Sequence, residues 1–295
     1  MPVVVPRVPE GAIAAIRPHL DAADRDAPAE VLDQGFGNVA IRLGGTVARI
    51  AANPEVARSH LRELQTLPVL RGRLPVAVPA PCRPVPAADA LPFGALLHPL
   101  LPGRVMEEGD AARHPSLAVE IAGCLVALHS IASTDFGEGS LVDLEPVAEL
   151  AKVETQTREL RDRRLSPIQH GTFERLLDRA RQILPGRDRV VSHGDPWYGN
   201  MLLDDEGHLC ALVDFEGACL ADPAFDLAAQ TYLDPPWADV AIESYVDRTH
   251  HLEDIHERVR AYLLIRELGG LAYAVRNDMH DEIEHSFADL IGMLA

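Results

Sequence analysis

Lysine is all but missing from this chain. Lys152 is the only one in 295 residues, so any task that elsewhere falls to a lysine must be met by arginine or left undone. Positive charge is scarce altogether: 27 Lys and Arg face 45 Asp and Glu, a formal net charge of −18. Nucleic-acid binders need a basic stripe that releases counterions from phosphates; none is present, and no nucleic-acid partner is expected. The acidity suits a cationic small molecule, and it equally serves solubility. Cys82, Cys124, Cys210 and Cys219 form no CxxC pair, which points to scattered reduced thiols and away from a disulfide frame or a zinc site. Long apolar runs are lacking too. The longest, "SLAVEIAGCLVALHSI" from Ser116 to Ile131, carries Glu120 and is too short for a bilayer, so it reads as a buried helix with no membrane partner. The opening "MPVVVPRVPEGAIAAIRPHL" has no charged segment followed by an uninterrupted apolar one; no export signal is expected, and a cytoplasmic location is.

What is present is an ordinary globular balance, 47% hydrophobic and 24% charged, enough for one large core or two modest ones. The first third reads mainly as strand. After a short helix near Gly11 to Leu20, alternating runs at Asn38 to Leu43 and Thr46 to Ala51 are joined by Gly44 and Gly45, a strong hairpin signal. Pro54 then opens a helical pattern through "PEVARSHLRELQTLPVL", with Val56, Leu64 and Leu67 on one face. Strand-like runs follow near Val76 to Val85 and Leu91 to His98. From Leu100 the spacing predicts helices near Pro115 to Ile131, Leu144 to Arg163, His170 to Leu184, Trp237 to Arg248, Ile255 to Val275 and Glu282 to Leu294. One stretch breaks that pattern: "RVVSHGD", "NMLLDD" and "HLCALVDFEG" read as short strands around turns.

That stretch carries the chemistry. Asp195 stands five positions before Asn200, and fourteen positions later comes the dipeptide Asp214-Phe215. The spacing fits phosphoryl transfer, in which one carboxylate accepts a substrate hydroxyl proton while an amide oxygen and a second carboxylate hold Mg2+. Magnesium is a hard ion that takes oxygen ligands and usually one or two protein carboxylates. A hairpin turning at Asp205 to Gly207 would bring Asp214 back beside Asn200.

"HGDPWYGN", followed by "DFE" and "ADPAFDLA", resembles the aminoglycoside phosphotransferase family of small-molecule kinases. "QGFGN" is similar to that family's nucleotide loop, "LRELQTL" to its lobe-linking helix with the paired Glu, and "ALHSI" to the helix before its catalytic segment. The resemblance covers nearly the whole chain from about Glu30. It implies an α+β, protein-kinase-like fold of two lobes: an antiparallel sheet with one helix over residues 1–98, and a larger, mainly helical lobe over 99–295. It further implies that Asp195 is the catalytic base, that Asn200 and Asp214 bind Mg2+, and that Gly35, Gly37 and Asn38 cover the phosphates of ATP or GTP. Glu63 would pair with the cation on the third strand, Leu97 to Leu100 would form the adenine-contacting hinge, and His193, Asp222 and Asp226 would brace the catalytic loop. Arg49 stands where many relatives have lysine, and it keeps the charge while adding a planar fork. Glu216, third in "DFE", falls at a position that varies in the family.

The expected activity is phosphate transfer to a small-molecule hydroxyl. The acceptor is an aminoglycoside or related antibiotic on one reading and a sugar or amino alcohol on another. The carboxylates between Asp234 and Glu284, among them Asp239, Glu243, Asp247, Glu253, Asp254 and Glu257, would favour a cationic acceptor. A nucleotide-binding pseudokinase and a metal-assisted hydrolase are the alternatives of other classes. The intact Asp195, Asn200 and Asp214 weigh against the first, and the Gly loop with Glu63 weighs against the second.

Overall fold

The computed structural model describes residues 8–34, 38–249 and 254–294. A short helix α1 (Ala12–Ile16) precedes the strands β1 (Ala29–Gln34), β2 (Asn38–Leu43) and β3 (Thr46–Ala51), then helix α2 (Pro54–Leu70) and strands β4 (Arg83–Val85) and β5 (Ala95–Pro99). These strands form one antiparallel sheet in the order β1-β2-β3-β5-β4. The β2–β3 hairpin has the bounds its sequence predicts. Gly44 sits at φ 63°, and a Cβ there would lie 2.9 Å from the Asp24 carboxyl carbon, so the tight turn needs glycine.

Strand alternation sends Ala48 and Ile50 into a core with Ile41, Leu43, Leu97 and the α1 residues Ala12 and Ile16. Arg49 lies between them in sequence and so faces the opposite side, where α2 lies. That helix starts cleanly because the Asn53 side chain accepts the amides of Glu55 and Val56 at 2.9 and 3.0 Å, with Pro54 in the first turn.

The strand expected near Val76 to Val85 is only half realised. Ala77 is drawn away to bond the backbone of Cys210 and Leu212 at 2.9 and 3.0 Å, which leaves Arg83 to Val85 for the sheet. The run expected from Leu91 likewise begins its strand at Ala95, because Leu91 turns back on Ala88. Leu67, Leu70, Leu74 and Val78 belong to the second, larger core.

The larger part contains β6 (Arg104–Val105), α3 (Glu108–Arg113), α4 (Leu117–His129), β7 (Val142–Asp143), α5 (Pro146–Arg164) and α6 (Pro167–Ile183). Then follow β8 (Val190–Ser192), β9 (Met201–Leu203), β10 (Leu209–Leu212), β11 (Cys219–Ala221) and helices α7 (Ala224–Ala228), α8 (Pro235–Thr249), α9 (Ile255–Arg276) and α10 (His280–Met293). Two small sheets, β10-β9-β6 and β7-β11-β8, flank the turns that carry the motif residues. Among the described residues no helix is long and apolar enough to cross a membrane.

Candidate active site

Asp195 follows β8 at a turn whose polar groups are almost all assigned. Asp226, fully buried at the start of α7, accepts the amides of His193 and Gly194 at 2.7 and 2.9 Å, and His129 of α4 reaches the same carboxylate at 3.1 Å. Burial alone would raise the Asp226 pKa, but the His129 hydrogen bond and the surrounding donors hold it below the ordinary value. The Asp195 amide donates to His193 Nδ1 at 3.2 Å, and the Asp195 carbonyl accepts Asn200 Nδ2 at 2.8 Å. His193 Nε2 meets the Val213 carbonyl at 3.0 Å, which ties this loop to the strand entering Asp214. Asp222, also expected to brace the loop, forms a buried pair with Arg258 at 2.7 Å and caps the Ala224 amide at 2.9 Å.

Asn200 and Asp214 are brought together by the β9–β10 hairpin, which closes as the Asp204 amide donates to the His208 carbonyl at 2.9 Å. The Val213 amide donates to the Asn200 carbonyl at 3.0 Å, next to Asp214. Since Asn200 spends its amide nitrogen on Asp195, its Oδ1 is the atom left to act as a ligand. Asp214 adopts φ 65°, ψ 63°, a left-handed conformation that Asp tolerates better than most residues, and its carboxylate, partly exposed, meets Arg49. An amide oxygen and a carboxylate suit magnesium, a hard ion that takes few protein ligands.

Arg49 joins the two halves of the site. Its Nη1 donates to Glu63 of α2 at 2.6 Å, and its Nη2 donates to Asp214 at 2.6 Å and to Glu216 at 2.8 Å. Burial would lower the Arg49 pKa, but the three carboxylates raise it overall, so it stays cationic. The strain of burial falls on Glu63, whose Oε2 has no hydrogen-bond partner. Loss of water, with Asp214 and Glu216 nearby, pushes its carboxyl up to about 7 against the pull of Arg49. Glu216 is raised by burial and by Asp214.

Asn38 enters this network by donating to Glu216 Oε2 at 2.9 Å and accepting from His60 Nε2 at 2.9 Å. Gly35 and Gly37 lie outside the described residues. Leu97 points into the core beneath α1, so any contact it makes with a nucleotide is through its backbone, and the Leu100 amide already donates to the Gly45 carbonyl at 2.8 Å. Two site residues escaped the sequence reading. Glu216 stood at a position taken as variable, yet it links Arg49 to Asn38. Arg266 of α9 donates through Nη2 to Asp195 Oδ1 and through Nη1 to the Gly194 carbonyl at 3.2 Å. An arginine set in the apolar run "YLLIREL" must find a partner inside, and that was the available signal.

The profile of the phosphotransferase enzyme family matches residues 29–263. No curated protein sequence matches significantly. Among solved structures, the GDP complex of aminoglycoside 2'-phosphotransferase-IIIa superposes with a TM-score of 0.85 at 16% identity, covering 98% of this chain and 99% of that one. The GDP and kanamycin complex of APH(2")-IIia gives 0.78 at 17% identity over 90% and 92% of the two chains. Macrolide 2'-phosphotransferase MphH from Brachybacterium faecium gives 0.68 at 19% over 95% and 98%. At such identities the likeness is one of fold, and it bears out the α+β, kinase-like architecture expected from the sequence.

Proposed function

The chain belongs to the phosphotransferase enzyme family, and from that premise we propose that it moves the γ-phosphate of ATP or GTP to a hydroxyl of a small molecule, an aminoglycoside or related antibiotic. The observation that carries this reading is the convergence on Arg49 of Glu63 from α2 with Asp214 and Glu216 from the loop after β10, beside the Asp195–Asn200 pair. That arrangement suits phosphoryl transfer, where positioning and charge neutralisation dominate a loose transition state.

Each residue then has a task. Asp195 orients the acceptor hydroxyl and takes its proton as the oxygen attacks phosphorus. Arg49, fixed through Nη1 to Glu63, can reach phosphate oxygens by exchanging its Nη2 bonds to Asp214 and Glu216 for them when nucleotide binds. Asn200 Oδ1 and Asp214 would hold Mg2+, which when bound neutralises charge on the β- and γ-phosphates. Asn38, set at the start of β2 and tied to Glu216, holds the strand that follows the nucleotide loop close to these groups.

The finer choice of acceptor rests on charge. Asp239, Glu243 and Asp247 on α8 are exposed and make no ion pair with a described residue, whereas Asp254 and Glu257 are taken up by Arg187 and Arg179. The free carboxylates and the net charge of −18 favour a cationic acceptor, and a sugar or amino alcohol kinase is the second reading. Nucleoside diphosphate release, measured with ATP and with GTP across kanamycin, a macrolide, and neutral sugars, decides between them. Fastest turnover with kanamycin supports the proposal; turnover with none of the panel opposes it.

A further inference from the structure

Arg266 lies 71 residues downstream of Asp195, outside every motif of the site, and yet it holds the Asp195 carboxylate. Its side chain is only 14% exposed, whereas the Asp195 side chain is 44% exposed. Nη2 holds Asp195 Oδ1, Nη1 holds the Gly194 carbonyl at 3.2 Å, and Nε faces the Tyr232 hydroxyl at 3.4 Å. The Tyr232 ring, 5.4 Å from the guanidinium carbon, helps fix the plane of the fork.

The consequence concerns the two oxygens of Asp195. Oδ1 is occupied by a buried cation, while Oδ2 has only a long contact, 3.4 Å, to Asn200 Nδ2. The Gly194 and Asp195 backbone is pinned by Asp226, His193, Asn200 and Arg266 together, so the carboxylate cannot turn without breaking the Arg266 bond. We propose that Arg266 is a positioning residue that fixes Asp195 through Oδ1 and so assigns proton acceptance to Oδ2. This rests on the phosphotransferase reading above. In the step it serves, the acceptor oxygen forms a bond to the γ-phosphorus, the bond from that phosphorus to the β,γ-bridging oxygen breaks, and the hydroxyl proton passes to Oδ2.

The geometry distinguishes this role from simple packing. A lysine at 266 could reach Oδ1 but could not also hold the Gly194 carbonyl in one plane, because the two bonds use separate nitrogens of a rigid fork. Misplacing a reacting group by about 1 Å can cost on the order of 10²-fold in rate.

The test uses Arg266→Met, Arg266→Lys, Asp195→Asn and the double variant Arg266→Met with Asp195→Asn in the full chain. ATP or GTP turnover is measured with kanamycin and with water as acceptor, nucleotide affinity by calorimetry, and folding by thermal melting. We expect Arg266→Met to lower kcat by about 10- to 100-fold with nucleotide affinity unchanged, and Arg266→Lys to recover part of that loss. In the Asp195→Asn background, Arg266→Met should cost nothing further in kcat. Multiplying losses in the double variant, or a lower melting temperature with unchanged kcat in either single variant, would overturn the inference and leave the phosphotransferase reading standing. A parent that turns over no nucleotide with either acceptor would overturn both.

Discussion

Gly194 and Gly217 lie backbone against backbone. A Cβ built on Gly194 would overlap the Gly217 carbonyl, coming within 2.6 Å of its carbon, and Gly194 also adopts φ 92°. The loop that carries Asp195 and the loop that carries Asp214 can approach this closely because Gly194 lacks a side chain, whereas a Cβ on Gly217 would only touch the Gly194 backbone at 3.5 Å. The glycine of "HGD" is thus fixed by distance as well as by dihedral.

Gly194→Ala must separate those loops and strain its own backbone. The expected result is a loss of more than about 1 kcal/mol of stability together with turnover reduced by about 10²-fold. Thermal melting and diphosphate release on one preparation check it. A variant that melts and turns over like the parent would mean that the loops need not lie so close.

Arg49→Lys should fall between the parent and Arg49→Ala in nucleotide affinity. Lysine keeps the charge but has one nitrogen, whereas Arg49 spans Glu63 and Asp214 with two. Arg49→Ala leaves Glu63 buried without its cation, which destabilises by about 3–5 kcal/mol. Calorimetric titration with ATP and GTP, alongside denaturant unfolding, measures both effects. Equal loss in the two variants would assign the role to the planar fork alone.

His60 supplies a pH dependence. Burial first, then the Arg49 and His98 charges, hold its pKa down at about 3, against 6.5 for the unperturbed group. The folded ring is therefore neutral near pH 7, with Nε2 donating to Asn38 Oδ1. As pH falls below about 6.5 the unfolded chain takes up the proton first, and stability present above that pH is lost progressively down to about pH 3. Between pH 8 and pH 5 the parent should lose about 2 kcal/mol more than His60→Gln, which preserves the donor to Asn38. Urea unfolding at the two pH values reads the difference; parallel losses would show that His60 is protonated in the folded state.

Much of this site was legible in the sequence because its parts are local. Asp195, Asn200 and Asp214 sit at fixed spacing around one hairpin, and Glu63 follows Pro54 on a helix with a clear start. Arg266 was hidden because it lies in the interior of α9, in none of the motifs around Asp195, and its partner is remote in the chain. Glu216 was undervalued because its worth comes from Asn38 and Arg49, which belong to another sheet. The strand at Val76 to Val85 was overextended for a related reason: Ala77 has strand-like neighbours, but its partners are Cys210 and Leu212. The short elements α3, α7, β7 and β11 span too few residues for periodicity to register.

On the proposed phosphotransferase reading, Asp195 acts on the acceptor while Arg49, Asn200 and Asp214 serve nucleotide and metal. Asp195→Asn tests it most directly, because asparagine is nearly isosteric and cannot take the proton. Nucleotide affinity by calorimetry and turnover by diphosphate release are measured on the same preparation with Mg2+ present. Turnover should fall by about 10²-fold, the lower part of the span for general-base help, with nucleotide affinity nearly unchanged. Parent-like turnover would remove Asp195 from the chemistry, and lost nucleotide binding would make it a metal ligand or a structural residue instead.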